Sequence, residues 1–158
     1  MTRTELVLLA AAGSAALLLG AFGFQLLGYA PCDLCLLQRW PHAAAIAVGG
    51  LALALPRGIW RLLWPLLGAL AAATTSALGL YHSGVEQKWW QGPTTCTSGE
   101  IGNLTPDQLL AQINAAPLVQ CDQIAWQMFG LSMASWNMIL SAALAVVWLL
   151  AAARSRAR

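Results

Sequence analysis

The stretch ELVLLAAAGSAALLLGAFGFQLL, residues 5–27, carries one charge, at its first position, and no proline. A helix needs about 17–25 mostly apolar residues to cross a bilayer core, and this run has that length. Arg3 ahead of it and small residues within it resemble a secretory leader, but the apolar length exceeds the roughly 7–15 residues of a leader's central region. The reading is a transmembrane helix.

Three further apolar runs follow, over residues 40–55, 59–81 and 129–153, the first of them short for a crossing. Apolar residues make up 59% of the chain and charged ones 9%, against about 25% charged in soluble domains. So little charge cannot cover a globular surface. In lipid every backbone polar group needs an internal partner, which helices provide. The sequence therefore predicts an all-α membrane protein. It forms one domain over 1–158, a four-transmembrane-helix bundle with a long periplasmic loop over residues 83–128.

Charge orients the bundle. Four crossings place both termini and the second connection on one side, with Arg3, Arg57, Arg61, Arg154, Arg156 and Arg158 against Glu5 alone. The other side holds Asp33, Glu86, Glu100, Asp107 and Asp122 against Lys88, with Arg39 at the boundary. The arginine bias predicts cytoplasmic termini. No basic face is large enough for a phosphate footprint, so nucleic acid is not an expected partner.

The residues between the first two runs, GYAPCDLCLLQRWPH (28–42), bring chemistry to the membrane edge. All four cysteines, Cys32, Cys35, Cys96 and Cys121, fall on the non-cytoplasmic side. In a bacterium that side is the oxidising periplasm, where disulfides persist. Four cysteines allow three connectivities, and proximity favours Cys32–Cys35 with Cys96–Cys121. A CxxC bridge closes so small a loop that it contributes little stability, which favours redox work over stapling. Zinc could use four cysteines, but the second pair lacks the usual close spacing, and no metal is assigned. If the second helix begins near Leu36, Arg39 shares a face with Cys35, four residues before it. A helix start and a cation both favour the thiolate, the reactive form; Asp33 opposes them. An arginine snorkelling to lipid headgroups is the plainer alternative.

In the third connection, LTPDQLLAQI reads as a short amphipathic helix: Thr105 caps it, Pro106 takes its first position and Gln108 completes a capping box. Leu109, Leu110 and Ile113 share one face. His82 ends the third run on the cysteine side, where an interfacial histidine is the plainer reading. His42 lies one turn past Gln38 with no evident partner.

Together FQLLGYAPCDLCLLQRW (24–40), YHSGVEQKWW (81–90), Cys96 and CDQIAWQMFGLSMASWN (121–137) resemble the bacterial disulfide bond formation protein B (DsbB) family, in the same order among four apolar runs. The resemblance implies an inner-membrane thiol oxidase that reoxidises a periplasmic DsbA-like dithiol protein and passes electrons to quinone, ubiquinone or menaquinone. It implies that Cys96, with Cys121 as its companion, receives the partner's thiolate, and that Cys32 and Cys35 take the electrons next. Cys35, Arg39 and His82 would then face the quinone; Gln25 is a weaker correspondence. Asp33 within the motif and Gln38, where relatives tolerate an acid, depart from the pattern. The competing readings are a vitamin K epoxide reductase-like quinone reductase and a non-catalytic scaffold stapled by disulfides.

Overall fold

The computed structural model describes residues 1–93, 105–115 and 119–156. Cys96 lies outside them, and the side chains of Leu109 and Ile113 are likewise outside the described set. The elements are α1 (Arg3–Leu26), α2 (Asp33–Ala54), α3 (Trp60–Glu86), α4 (Pro106–Ala115), β1 (Gln127–Met128), β2 (Leu131–Ser132) and α5 (Met133–Arg156). The protein is mostly helical. By length and composition α1, α3 and α5 can cross a membrane. Helix α2 has the length, 22 residues, but Asp33, Gln38, Arg39 and His42 dilute its first half.

The helix ends follow from local chemistry. Thr2 caps α1 with a full capping box, its Oγ1 accepting from the Glu5 amide at 3.3 Å while its own amide donates to Glu5 Oε2 at 2.9 Å. Helix α1 stops in a Schellman turn: the Gly28 amide donates to the Gln25 carbonyl and the Tyr29 amide to that of Phe24, each at 3.1 Å. That turn needs a left-handed residue, and Gly28 supplies φ +95°. Helix α2 begins at Asp33, not at Trp40 or Leu36. Cys32 caps it, its sulfur accepting the Cys35 amide at 3.3 Å, and Asp33 suits the positive end of the helix dipole. Helix α3 runs past Tyr81 to Glu86 because His82, Ser83 and Glu86 find polar partners inside the protein. Residues 129–130 do not start the last helix. Phe129 (φ 53°) and Gly130 (φ 77°) make the two-residue turn joining β1 to β2, with the positive φ at both positions that a type I′ hairpin turn requires. The capping box of α4 is formed as the sequence predicts, with Thr105 and Gln108 exchanging amide and side-chain bonds at 3.0 and 3.4 Å.

Small residues let the bundle close, as is usual where helices pack in lipid. A cluster of Leu6, Val7, Ala10, Ala52, Ala69 and Ala72 surrounds the fully buried Trp148 of α5. Helix α3 meets the backbone of α5 at Gly79, where a Cβ would stand 2.9 Å from the Met138 amide nitrogen. Arg3, read from sequence only as an orienting charge, is buried. Its guanidinium donates to the carbonyls of Ala52 and Arg61, each at 3.2 Å, and to Ser155 Oγ at 3.1 Å. It thus ties α1 to α2, α3 and α5 and satisfies a carbonyl in the last turn of α2.

Candidate functional site

Cys32 and Cys35 are free thiols with sulfurs 2.9 Å apart. The Cys32 S–H donates to the Cys35 sulfur. That bond, with burial adding to it, holds the Cys32 thiol well above the ordinary range. Cys35 sits in the first turn of α2, where unpaired amides favour negative charge. Arg39 follows one turn later, on the same face. Its Nη1 donates to Gln25 Oε1 at 2.9 Å, and its guanidinium lies over the Phe22 ring, 4.6 Å from the centroid.

His82 of α3 joins the pair. Its Nε2 is 3.6 Å from Cys32 Sγ and 3.9 Å from Glu86 Oε1, and Glu86 in turn accepts from Ser132 Oγ. The other ring nitrogen, Nδ1, lies 2.9 Å from Gln38 Nε2. Gln38 Nε2 also donates to the Leu34 carbonyl at 3.1 Å. A backbone carbonyl only accepts, so the amide group of Gln38 can face only one way. Nδ1 therefore accepts, the ring hydrogen of neutral His82 is on Nε2, beside the Cys32 sulfur, and the ring also hydrogen-bonds the Cys121 backbone. The three ligand atoms of Cys32, Cys35 and His82 lie within 4.8 Å of one another, compact enough to touch one ion. His82 nevertheless presents a hydrogen there, not a lone pair, and reversing it would break the Gln38 bonds.

Cys121 is fully buried and disulfide-bonded. It packs in one cluster with Cys32, Leu34 and Val85, with Cys35 and Tyr81 at the margin. The segment is held by an ion pair between the adjacent Asp122 and Lys88. Lys88 is the left-handed residue (φ 60°) of a second Schellman turn, which ends α3 with the Trp89 amide on the Gly84 carbonyl at 2.9 Å.

On the far side of Cys35 lies a cavity of about 450 Å³, bounded by α1, α2, α5 and the segment around Trp126. Its walls are mostly apolar, and its polar side carries Cys35, Gln38, Arg39, His42, His82 and Asn137. Arg39 Nε and His42 Nδ1 are buried and have no partner among the described residues.

The structure thus gathers Cys32, Cys35, Arg39, His82 and Cys121, and brings Gln25 in through Arg39. Sequence reasoning missed the roles of Gln38, Glu86 and Asn137 and gave His42 no partner. His42 in fact has two: its Nε2 is 2.8 Å from Asn137 Oδ1 and 3.3 Å from Thr75 Oγ1. One signal was available. Cys35, Gln38, Arg39 and His42 recur at helical spacing, a polar stripe on an otherwise apolar helix.

The family model described as "Disulfide bond formation protein DsbB" matches residues 3–151. The chain is 25% identical over 143 residues to disulfide bond formation protein B of Acidovorax sp. (strain JS42), covering 87% of this chain and 79% of that protein. It is 28% identical over 160 residues to the protein of that name from Verminephrobacter eiseniae (strain EF01-2), covering 96% and 86%. With that from Dechloromonas aromatica (strain RCB) the identity is 31% over 128 residues, covering 74% and 72%. No solved structure gives a significant match. A membrane-type helical bundle, a paired CxxC and a buried second disulfide cysteine agree with that match along nearly the whole length, and the chain belongs to the DsbB family of disulfide bond formation proteins.

Proposed function

We propose that the chain is a membrane thiol oxidase that withdraws electrons from a soluble DsbA-like dithiol protein and delivers them to membrane quinone through two cysteine pairs. It is a single membrane domain of the bacterial inner membrane, with α2 as the fourth crossing, cytoplasmic termini and periplasmic cysteines. The arginine distribution supports this orientation. The burial of α2 supports the crossing: Gln38 and His42 turn inward while Leu36, Leu37 and Trp40 face out.

The observation that carries the reading is the position of the CxxC between two environments. Disulfide-bonded Cys121 packs against Cys32, while Cys35 lines an apolar cavity beside Arg39. With Cys32 and Cys35 both free, Cys96 is the partner assigned to Cys121. The partner's thiolate attacks Cys96, the Cys96–Cys121 bond breaks, and Cys121 leaves as a thiolate. The second partner thiol then displaces Cys96, completing the partner's disulfide. Next, the Cys121 thiolate attacks Cys32 of an oxidised CxxC and Cys35 leaves as a thiolate. Cys96 displaces Cys32 from Cys121, restoring the second disulfide and leaving the CxxC reduced. A free CxxC beside a bonded Cys121 has the redox pattern of that stage.

Each residue then has a task. Cys32 holds a proton against the Cys35 sulfur, the α2 start and Arg39 favour negative charge on Cys35, and His82 links the Cys32 sulfur to the Cys121 backbone. The cavity suits a quinone: its volume lies in the range of small-molecule sites, roughly 300–1,000 Å³, its walls are mostly apolar, and its polar side carries Cys35 and Arg39. Bound there, a quinone would supply an acceptor for the two electrons released when Cys32 and Cys35 form a disulfide.

The test uses the purified full chain in detergent, a reduced dithiol partner and a short-chain ubiquinone, with loss of quinone absorbance as the signal. Reduction should depend on both cysteine pairs and stop in Cys35→Ser. Reduction that persists without Cys35, or none at all from folded protein, overturns the reading.

A further inference from the structure

Closing the Cys32–Cys35 disulfide requires the Cys32 sulfur to lose the hydrogen it donates to Cys35. Passing that hydrogen to the Cys35 sulfur only exchanges thiol for thiolate, so a third group must take it. His82 is beside the pair but has no lone pair to offer. Its Nε2 carries the ring hydrogen, and its Nδ1 is engaged by Gln38 Nε2 at 2.9 Å. Asp33, inside the motif, is exposed and lines neither the large cavity nor a second, smaller one. The smaller cavity, of about 40 Å³, lies between the CxxC and the Cys121 segment, where Cys32, Cys35, His82, Glu86, Gln120 and Gln123 supply its polar lining. Among the described residues lining either cavity, Glu86 is the one acid. Its Oε2 accepts from Ser132 Oγ, which fixes the carboxylate. Oε1 has no hydrogen-bond partner among the described residues, yet it is not one of the atoms sealed from water. It lies 3.9 Å from His82 Nε2, which is itself 3.6 Å from Cys32 Sγ. A water needs roughly 10–15 Å³ and two to four polar partners, and the smaller cavity has both the volume and the lining.

We infer that Glu86 is the proton acceptor for Cys32, through one water in the smaller cavity, when the CxxC closes. This deepens the thiol-oxidase reading and rests on its redox-active CxxC. In the step, the Cys32 sulfur and the Cys35 thiolate form the S–S bond and give two electrons to the oxidant. The Cys32 proton is left on the Glu86 carboxylate. Glu86 is the last residue of α3, at the aqueous edge, where the carboxyl returns that proton to the surrounding water. The ionisable groups facing Glu86 are His82 of its own helix and Cys32 and Cys35 at the start of α2. The segment over 119–126 adds only Asp122, which is paired with Lys88, and β2 and the first turn of α5 add none.

The test uses the full chain in detergent, with its CxxC reduced, and dipyridyl disulfide as the oxidant, without quinone or partner. Cys35 attacks the reagent and releases one thiopyridone. Cys32 then attacks the Cys35 sulfur and releases a second, in a step that does not depend on reagent concentration. In the wild type the rate of that second release should rise with the ionisation of one carboxylate and then level off. Glu86→Gln, which keeps an acceptor for Ser132, should slow it about a hundredfold at neutral pH, the lower end for a positioned base. Its rate should then keep rising with pH instead of levelling, because only solvent takes the Cys32 proton. The first release should not slow, since the Glu86 charge opposes the Cys35 thiolate. A wild-type second release that never levels off overturns the inference without any variant. So does a Glu86→Gln profile identical to wild type, or equal slowing of both releases. If quinone reduction fails while the second release keeps its Glu86 dependence, only quinone as the acceptor falls and the Glu86 assignment stands.

Discussion

Replacing Gln38 by leucine tests how much of the site depends on one buried amide. Gln38 makes three side-chain bonds, to the Leu34 carbonyl, His82 Nδ1 and Asn137 Nδ2, but their loss does not cost equally. The Leu34 carbonyl keeps its place in the helical ladder, and Asn137 Nδ2 keeps the carbonyl and hydroxyl of Thr75 at 3.4 and 3.2 Å. Only His82 Nδ1 is left as a buried acceptor without a donor. One such orphan costs about 1–3 kcal/mol, so Gln38→Leu should destabilise the protein by about 2 kcal/mol in reversible detergent unfolding. Because the cost acts through His82, it should shrink below about 0.5 kcal/mol in a His82→Phe background, a coupling of the size expected for direct contacts. Additive costs in that double-mutant cycle would refute the network. So would a Gln38→Leu protein as stable as wild type.

Three other outcomes are expected. At neutral pH iodoacetamide should label Cys35 before Cys32, since the Cys32 thiol is held up by its bond to Cys35 and by burial; peptide mapping showing Cys32 modified first would contradict this. Because the Cys32 sulfur caps α2, Cys32→Ala should be less stable than Cys32→Ser by about 1 kcal/mol, the usual worth of an N-cap, and equal stabilities would remove that role. Gly79→Ala should cost about 1–3 kcal/mol by wedging α3 from α5, whereas Gly50→Ala, with open space around its Cβ position, should be neutral or mildly stabilising; matching melting temperatures would argue against the close helix crossing.

The long apolar runs and the arginine bias by themselves determined a membrane bundle, because bilayer thickness and backbone hydrogen bonding leave a chain of this composition few alternatives. The motifs around Cys32, Cys35, Arg39 and Cys121 likewise disclosed the family, since redox chemistry restricts which residue types serve. Element boundaries were less legible. Nothing in the pattern of residues 129–132 outweighed the apolar run that follows, yet a left-handed Phe129–Gly130 pair makes them a hairpin. Nor did local sequence show that a cysteine would cap α2. The polar interior was decided only by tertiary structure. Gln38 and His42 belong to α2, Thr75 and His82 to α3, and Asn137 to α5, so local spacing relates none of them across helices. Their hydrogen-bond polarity exists only once the three helices bring the groups within bonding distance, where the two fixed backbone carbonyls of Leu34 and Thr75 orient every amide and imidazole between them.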